Sequence, residues 1–234
     1  MTAPLPIVIL LASLLLVAQG CSSVNSAMGG NTEKEAKAEV DWGYQRNGIQ
    51  LELIAGTDLN AYFDQAHTLV LGVLQLQDSK AFLQLLNDPK TLTGMLASGN
   101  AGPDILQMDR YVVSPGKRDI LDIDRVQDAR FVGIVAGYYK FDPVGASRLF
   151  RIPLNVQTRG MISTTHTATP ANLALRLQLG RQRIVNAQSL TFDADTAPNV
   201  ETIPLETLAP EIKLDANSLQ QANDSAGATR KLRQ

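Results

Sequence analysis

The feature that most constrains the fold is an alternation of apolar and polar residues over short segments. Residues 48–55 read GIQLELIA and residues 173–179 read LALRLQL. Alternating side chains face opposite sides of a β-strand, so each segment predicts a strand with one buried face. Further short strands are predicted at residues 69–76, 105–114, 120–126, 131–139, 149–156 and 184–187. About seven or eight such strands imply a mainly β protein built from two stacked sheets.

Residues 78–98 interrupt this pattern with a helical one, because apolar residues recur there at spacings of three and four. Asp78 or Ser79 can cap a first helix, Asp88 can cap a second, and Gly99 can end it. The sequence therefore predicts a small helical pair inserted into the β fold.

The amino terminus carries an apolar run, residues 7–17, which is followed by Ala18, Gln19, Gly20 and Cys21. A transmembrane helix needs roughly 20 apolar residues, so this shorter run is typical of a signal peptide. Small residues before a cysteine favour a lipobox, in which Cys21 receives a covalent lipid. The alternatives are an ordinary secretory signal followed by an unmodified thiol, or a buried helix.

Cys21 is the single cysteine of the chain, so an exported protein could form no internal disulfide. Lipidation would remove an otherwise oxidisable thiol, and multiple acyl chains would give stable anchoring. Ser22 stands where lipoproteins retained in the inner membrane carry Asp, which favours an outer-membrane location facing the periplasm.

Composition divides the 234 residues into four parts. Residues 1–20 are predicted to be the signal peptide, and residues 21–47, rich in small and polar types, a lipidated flexible tether. Residues 48–190 are predicted to form the β-sandwich domain, and residues 191–234 a disordered tail.

Charge and motifs argue against several functions. With 21 basic and 23 acidic residues, the chain has no positive excess that would attract nucleic acid. His67 and His166 lie in polar stretches without neighbours at metal-ligand spacing, and we interpret both as solvent-facing loop residues. Asp122 and Asp124 fit a solvated strand face better than a calcium loop. No nucleophile or nucleotide-binding motif occurs, so we predict a binding protein, not an enzyme, without cofactor or metal.

The segment between the first two predicted strands is longer than a connection requires. It places aromatic and aliphatic side chains inside a polar rim, as protein-contact loops do. The opposing interpretation is that Tyr62 and Phe63 fold inward and close the end of the sandwich. The candidate contact residues, called the connector below, are Thr57, Asp58, Leu59, Asn60, Ala61, Tyr62, Phe63, Asp64, Gln65, Ala66, His67 and Thr68.

Together with Cys21, the connector and the helical insertion, the segment 113–142 (VSPGKRDILDIDRVQDARFVGIVAGYYKFD) resembles the TssJ lipoprotein family of type VI secretion systems. The resemblance covers residues 48–187. Its most telling part is Pro115-Gly116, an alternating strand, and FVGIVA leading into Tyr138. The family commonly continues with a Tyr-Arg-Asp type ending, which Tyr138-Tyr139-Lys140 replaces here.

The resemblance implies a transthyretin-like β-sandwich anchored in outer-membrane lipid. It also implies binding, through the connector, to the periplasmic C-terminal domain of a TssM-type inner-membrane protein, within a higher-order secretion complex. The residues alone are also compatible with two other functions. The protein could be a periplasmic ligand-binding or enzymatic lipoprotein with the same fold, or a lipoprotein of another envelope assembly.

Overall fold

A computed structural model describes residues 25–161 and 163–191 and the two-residue strand Ile212–Lys213. The chain divides into two compact units. The main unit contains residues 42–153 and the residues from Ala171 onward, and the small unit combines the segment up to Asp41 with residues 154–170. Cys21 and most of the predicted tail lie outside the described residues.

The elements follow one another along the chain in this order: α1 (Glu33–Ala38), β1 (Gln45–Ala55), β2 (Leu69–Leu76), α2 (Ser79–Leu86), α3 (Pro89–Ser98), β3 (Gln107–Val113), β4 (Arg118–Arg125), β5 (Phe131–Ala136), β6 (Lys140–Phe141), α4 (Pro143–Ala146), β7 (Ser147–Arg151), β8 (Leu154–Arg159), β9 (Thr165–Pro170), β10 (Leu173–Leu179), β11 (Ile184–Ser189) and β12 (Ile212–Lys213).

The main unit contains two four-stranded sheets, with strand orders β11-β10-β1-β4 and β3-β2-β5-β7. In the first sheet, β1 is parallel to β10 and antiparallel to β4. The register pairs Leu51 with Leu175 and Leu53 with Leu177, so the alternating apolar residues of both strands share one buried face. Strand β2 is buried at every position, as its apolar sequence predicts for a central strand. The predicted mainly β, two-sheet sandwich is confirmed.

The inserted helical pair is also confirmed. The Asp78 side chain accepts a hydrogen bond from the Lys80 backbone N–H at 2.8 Å, and Asp88 caps α3 through the Thr91 N–H at 3.2 Å. Gly99 ends α3 with a φ of +78°, a backbone conformation that glycine adopts without steric cost. None of the described helices is long and apolar enough to cross a membrane.

The structure departs most from the sequence prediction after residue 149. The strand predicted at residues 149–156 is wrong, because β7 ends at Arg151 and β8 begins at Leu154. Pro153 lies in the break, where a residue without an N–H cannot donate to a strand ladder. The hairpin of β8 and β9 was not predicted beyond that point, and it places His166 in a strand instead of a loop.

The small unit contains α1 and the β8–β9 hairpin. Thr32 and Glu35 form a capping box at the start of α1, in which the Glu35 N–H donates to the Thr32 hydroxyl at 3.2 Å and the Thr32 N–H donates to the Glu35 carboxylate at 2.7 Å. The segment predicted to be a tether, residues 21–47, thus contributes a helix to a packed unit and the first residues of β1.

Candidate partner-binding site

The connector leaves the first sheet after Ala55 and enters the second at Leu69, and its first half turns back into the main unit. Leu59 is fully buried, and its backbone carbonyl accepts a hydrogen bond from the His67 N–H at 3.0 Å. Leu59 therefore closes the connector on itself and packs in the core, where it offers no side-chain surface to a partner. We call residues 59–61 the base of the connector.

Asn60 holds this base to the rest of the main unit. Its side chain is buried, donates to the Thr68 carbonyl at 2.8 Å and accepts from the Tyr139 N–H at 2.6 Å. Its φ of +49° lies in the left-handed region, which Asn tolerates better than most residues. One amide side chain therefore fixes both the return of the connector and the segment that follows β5.

The turn between β10 and β11 supports the base from another side. The Ala61 N–H donates to the Arg181 carbonyl at 2.9 Å, and the Gly56 N–H donates to the Leu179 carbonyl at 2.8 Å. The buried Tyr138 hydroxyl donates to the Arg183 carbonyl in the same turn at 2.7 Å. Burial raises the pKa of Tyr138, so its phenol keeps the proton that makes this bond.

Residues 62–65 form the tip of the connector. The Tyr62 and Gln65 backbones exchange hydrogen bonds at 2.9 and 3.0 Å, which closes a two-residue turn over Phe63 and Asp64. Both central residues have positive φ, +46° for Phe63 and +58° for Asp64, as in a type I′ turn. Such turns ordinarily carry Gly, Asn or Asp, so Phe63 is held in a strained backbone conformation.

The strained residue is also the most exposed aromatic side chain of the connector. Phe63 is 82% exposed, and its ring lies 4.2 Å, centroid to centroid, from the half-exposed ring of Tyr62. Tyr62 in turn lies 3.7 Å from the ring of Tyr139. The inward folding considered as an alternative for Tyr62 and Phe63 does not occur, because Leu59 fills that role.

Two residues of this surface were not among the sequence candidates. Tyr139 supplies a supporting ring, and the Arg181 guanidinium forms an ion pair with the exposed Asp64 carboxylate. Tyr138 and Tyr139 follow β5; the Tyr138 ring is buried, whereas the Tyr139 ring is half-buried and lies beside Tyr62. We call Tyr62, Phe63, Asp64, Tyr139 and Arg181 the tip surface.

The remaining connector residues are polar or small. They are exposed or half-buried: Thr57, Asp58, Gln65, Ala66, His67 and Thr68. Among the residues that the structure describes, no group of His, Cys, Asp and Glu side chains could hold a metal ion. An exposed aromatic centre within a polar rim suits contact with another protein.

Known proteins resemble this chain in structure and in sequence. No curated protein matches the sequence. Solved structures that resemble the chain include the type VI secretion lipoprotein TssJ1 from Pseudomonas aeruginosa, with 22% identity and a TM-score of 0.44, covering 64% of this chain and 98% of that one. Lip from Serratia marcescens, described as a membrane-bound component of the type VI secretion system, gives 20% identity and a TM-score of 0.42, covering 63% and 98%.

A structure described as the TssM C-terminal domain from EAEC gives 15% identity and a TM-score of 0.42, covering 62% of this chain and 98% of that one. At the level of sequence, the family model described as type VI secretion lipoprotein, VasD, EvfM, TssJ matches residues 47–182. Since that region spans more than half of the chain and contains the whole connector, the protein belongs to the type VI secretion lipoprotein family.

Proposed function

We propose that this protein is anchored in the outer membrane by lipid on Cys21 and binds the periplasmic C-terminal domain of a TssM-type inner-membrane protein through its tip surface. It would thereby link the two membranes within the secretion complex. Membership of the lipoprotein family supports the anchor, and the geometry of the connector supports the contact. Of the twelve connector residues, we propose that those of the tip contact the partner, because Leu59 and Asn60 in the base are buried.

The observation that carries the proposal is that the exposed Phe63 lies in a turn whose positive φ is unfavourable for a phenylalanine. Strained residues persist where surrounding structure enforces them, and they cluster at functional sites. The base of the connector supplies that enforcement through Asn60 and the Arg181 carbonyl. A rigid, exposed aromatic loses little conformational entropy on binding, which is a property of interface hot spots.

The test replaces Phe63 with Asn, which removes the ring and still tolerates the left-handed conformation. In a soluble, unlipidated chain that begins at residue 22, Phe63→Asn is expected to weaken binding to the partner's periplasmic domain by about 2 kcal/mol, roughly 30-fold, as measured by titration calorimetry. Ile120→Thr is the matched control, because Ile120 is also an exposed apolar residue but lies on β4, away from the connector.

Equal affinity of the Phe63→Asn and Ile120→Thr variants would refute the contact assignment. The anchor is tested separately by Cys21→Ser in the full-length precursor. This variant is expected to leave the membrane fraction while its affinity for the partner domain stays unchanged. An unmodified Cys21 in mass spectra of the membrane-bound protein would contradict the anchor without affecting the contact.

A further inference from the structure

The small unit holds residues 25–31 against the start of β9 and the residue that precedes it. The Asn25 side chain accepts from the Thr164 N–H at 2.7 Å and donates to the Thr164 carbonyl at 2.9 Å. The Asn31 N–H donates to the same carbonyl at 3.1 Å. One asparagine side chain thus occupies both backbone groups of Thr164, as a neighbouring strand would.

A second asparagine repeats this arrangement two residues further on, at His166 in β9. The Asn31 side chain accepts from the His166 N–H at 2.6 Å and donates to the His166 carbonyl at 2.9 Å. The two asparagines therefore clamp the segment 25–31 to the hairpin edge. Because of this clamp, only residues 22–24 separate Cys21 from the first residue that is held by the small unit.

The clamp lies beside the tip of the β8–β9 hairpin. Gly160 makes a tight turn there, with a φ of +108° and with the Ser163 carbonyl oxygen 1.8 Å from the position a Cβ would take. The next residue, Met161, is fully exposed, and Arg159 before the turn is exposed as well. An unbranched apolar side chain and a long cationic one therefore share the hairpin tip.

The sequence distance to Cys21 limits where this tip can be. Four residue steps separate Cys21 from Asn25, and an extended chain spans at most about 14 Å over four residues. Acyl chains on Cys21 must lie in the hydrocarbon, which places that residue at the membrane interface. Thr164, which contacts Asn25, is therefore held within a short distance of the bilayer, and Met161 is three residues away from it.

We propose that the β8–β9 hairpin tip contacts the bilayer surface, with Met161 inserted among the acyl chains and Arg159 at the lipid phosphates. This inference rests on the proposed lipid at Cys21, because the lipid brings the tip to the membrane. Met suits insertion because it is apolar and flexible, and Arg can extend its charged group to the headgroups. The hairpin thereby gives the small unit a second contact with the membrane, beside the lipid.

The experiment uses full-length lipidated protein reconstituted into vesicles of phosphatidylcholine brominated on its acyl chains. Met161→Trp places a fluorophore at the tip, and the native Trp42, which is buried, gives the background in the parent protein. The fluorescence of the new tryptophan is expected to be weaker in these vesicles than in vesicles without bromine. Its emission is expected to be blue-shifted relative to that of a water-exposed tryptophan. Asn155→Trp is the matched control, since Asn155 is exposed on β8 and lies four residues, about 13 Å along the strand, from Arg159 at the start of the turn.

Strong quenching at residue 161 and weak quenching at residue 155 would support the proposal. Equal quenching at both positions, or none at residue 161, would overturn it. Adding Asn25→Ala to Met161→Trp is expected to reduce the quenching at least twofold, because the tip is no longer clamped near Cys21. Unchanged quenching in that double variant would contradict the role of the clamp.

Mass spectrometry of the reconstituted sample separates this inference from the proposed function. A lipidated Cys21 with a water-exposed tryptophan at position 161 overturns the membrane contact alone. An unmodified Cys21, with the protein absent from the vesicles, overturns the anchor on which the contact depends.

Discussion

The base and the tip of the connector are neighbours in sequence but have opposite physical characters. The base, residues 59–61, is buried and makes hydrogen bonds to three separate segments of the main unit. The tip, residues 62–65, closes only on itself through the backbone and exposes Phe63. A loop long enough to bind a partner can therefore contain one part that packs in the core and another part that is exposed to the partner.

This division explains how a strained turn is maintained. Left-handed φ values for non-glycine residues cost roughly 1–2 kcal/mol each, so Phe63 would relax if the chain on either side were free. Fixing Asn60 and Ala61 on one side and Thr68 on the other leaves the intervening residues few alternatives. Changes at the base should therefore alter stability, and changes at the tip should alter it little.

The largest expected effect is that of Leu59→Ala. Removing a fully buried leucine side chain leaves a cavity, so the free energy of unfolding should fall by about 2–5 kcal/mol. Urea denaturation of the mature chain measures this change. A loss below about 0.5 kcal/mol would show that the base does not pack as a core element.

The next effect is that of Asn60→Ala, which leaves the Thr68 carbonyl and the Tyr139 N–H without their side-chain partner. It also places Ala at a positive φ. We expect a loss of roughly 2–3 kcal/mol in unfolding free energy. Hydrogen exchange should identify the site, with faster exchange of the Tyr139 amide than in the parent and no change at the Leu51 amide in β1.

A smaller effect is expected from Tyr138→Phe. The substitution keeps the buried ring and removes only the hydroxyl that donates to the Arg183 carbonyl, so stability should fall by about 1 kcal/mol. Partner affinity should change less than twofold, because Tyr138 is fully buried. A large loss of affinity with unchanged stability would contradict the assignment of the contact to the tip surface, because the Tyr138 side chain is buried beneath it and is not part of it.

The sequence predicted those parts of the fold that depend on local periodicity. The alternation in residues 173–179 and the caps Asp78 and Asp88 each report a local requirement, burial of one face or satisfaction of helix N–H groups. The β8–β9 hairpin carries no such signal. Its residues are mostly polar, and its edge is closed by Asn25 and Asn31, which are more than 130 residues away in sequence.

The candidate site shows the same limit. Its position between β1 and β2 followed from the length of the segment, but the direction of each side chain did not, because irregular segments have no period. Leu59 and Phe63 are both apolar candidates by sequence, yet Leu59 is buried and Phe63 is 82% exposed. Arg181 reaches the tip only through the pairing of β10 with β1, a tertiary relation that local sequence does not encode.

The smallest stability effect is expected at Phe63. The prediction concerns which of two variants, Phe63→Gly or Phe63→Ala, has the higher free energy of unfolding. Phe63→Gly relieves the left-handed strain but loses the contact with Tyr62 and adds freedom to the unfolded chain. These terms oppose each other, so the unfolding free energy should change by less than about 0.5 kcal/mol. Phe63→Ala loses the same contact and keeps the strain, and it should therefore be less stable than the glycine variant by about 1 kcal/mol.

This order reverses the usual advantage of Ala over Gly, which arises because Gly has more freedom in the unfolded chain. Paired urea denaturation curves of the two variants measure it directly, and Ile120, on a regular strand, supplies the control. Ile120→Ala should be more stable than Ile120→Gly, because an extended backbone has no left-handed strain that glycine could relieve. If Ala were favoured at position 63 as well, the tip would relax freely in solution, and the enforcement attributed to the base would have to be abandoned.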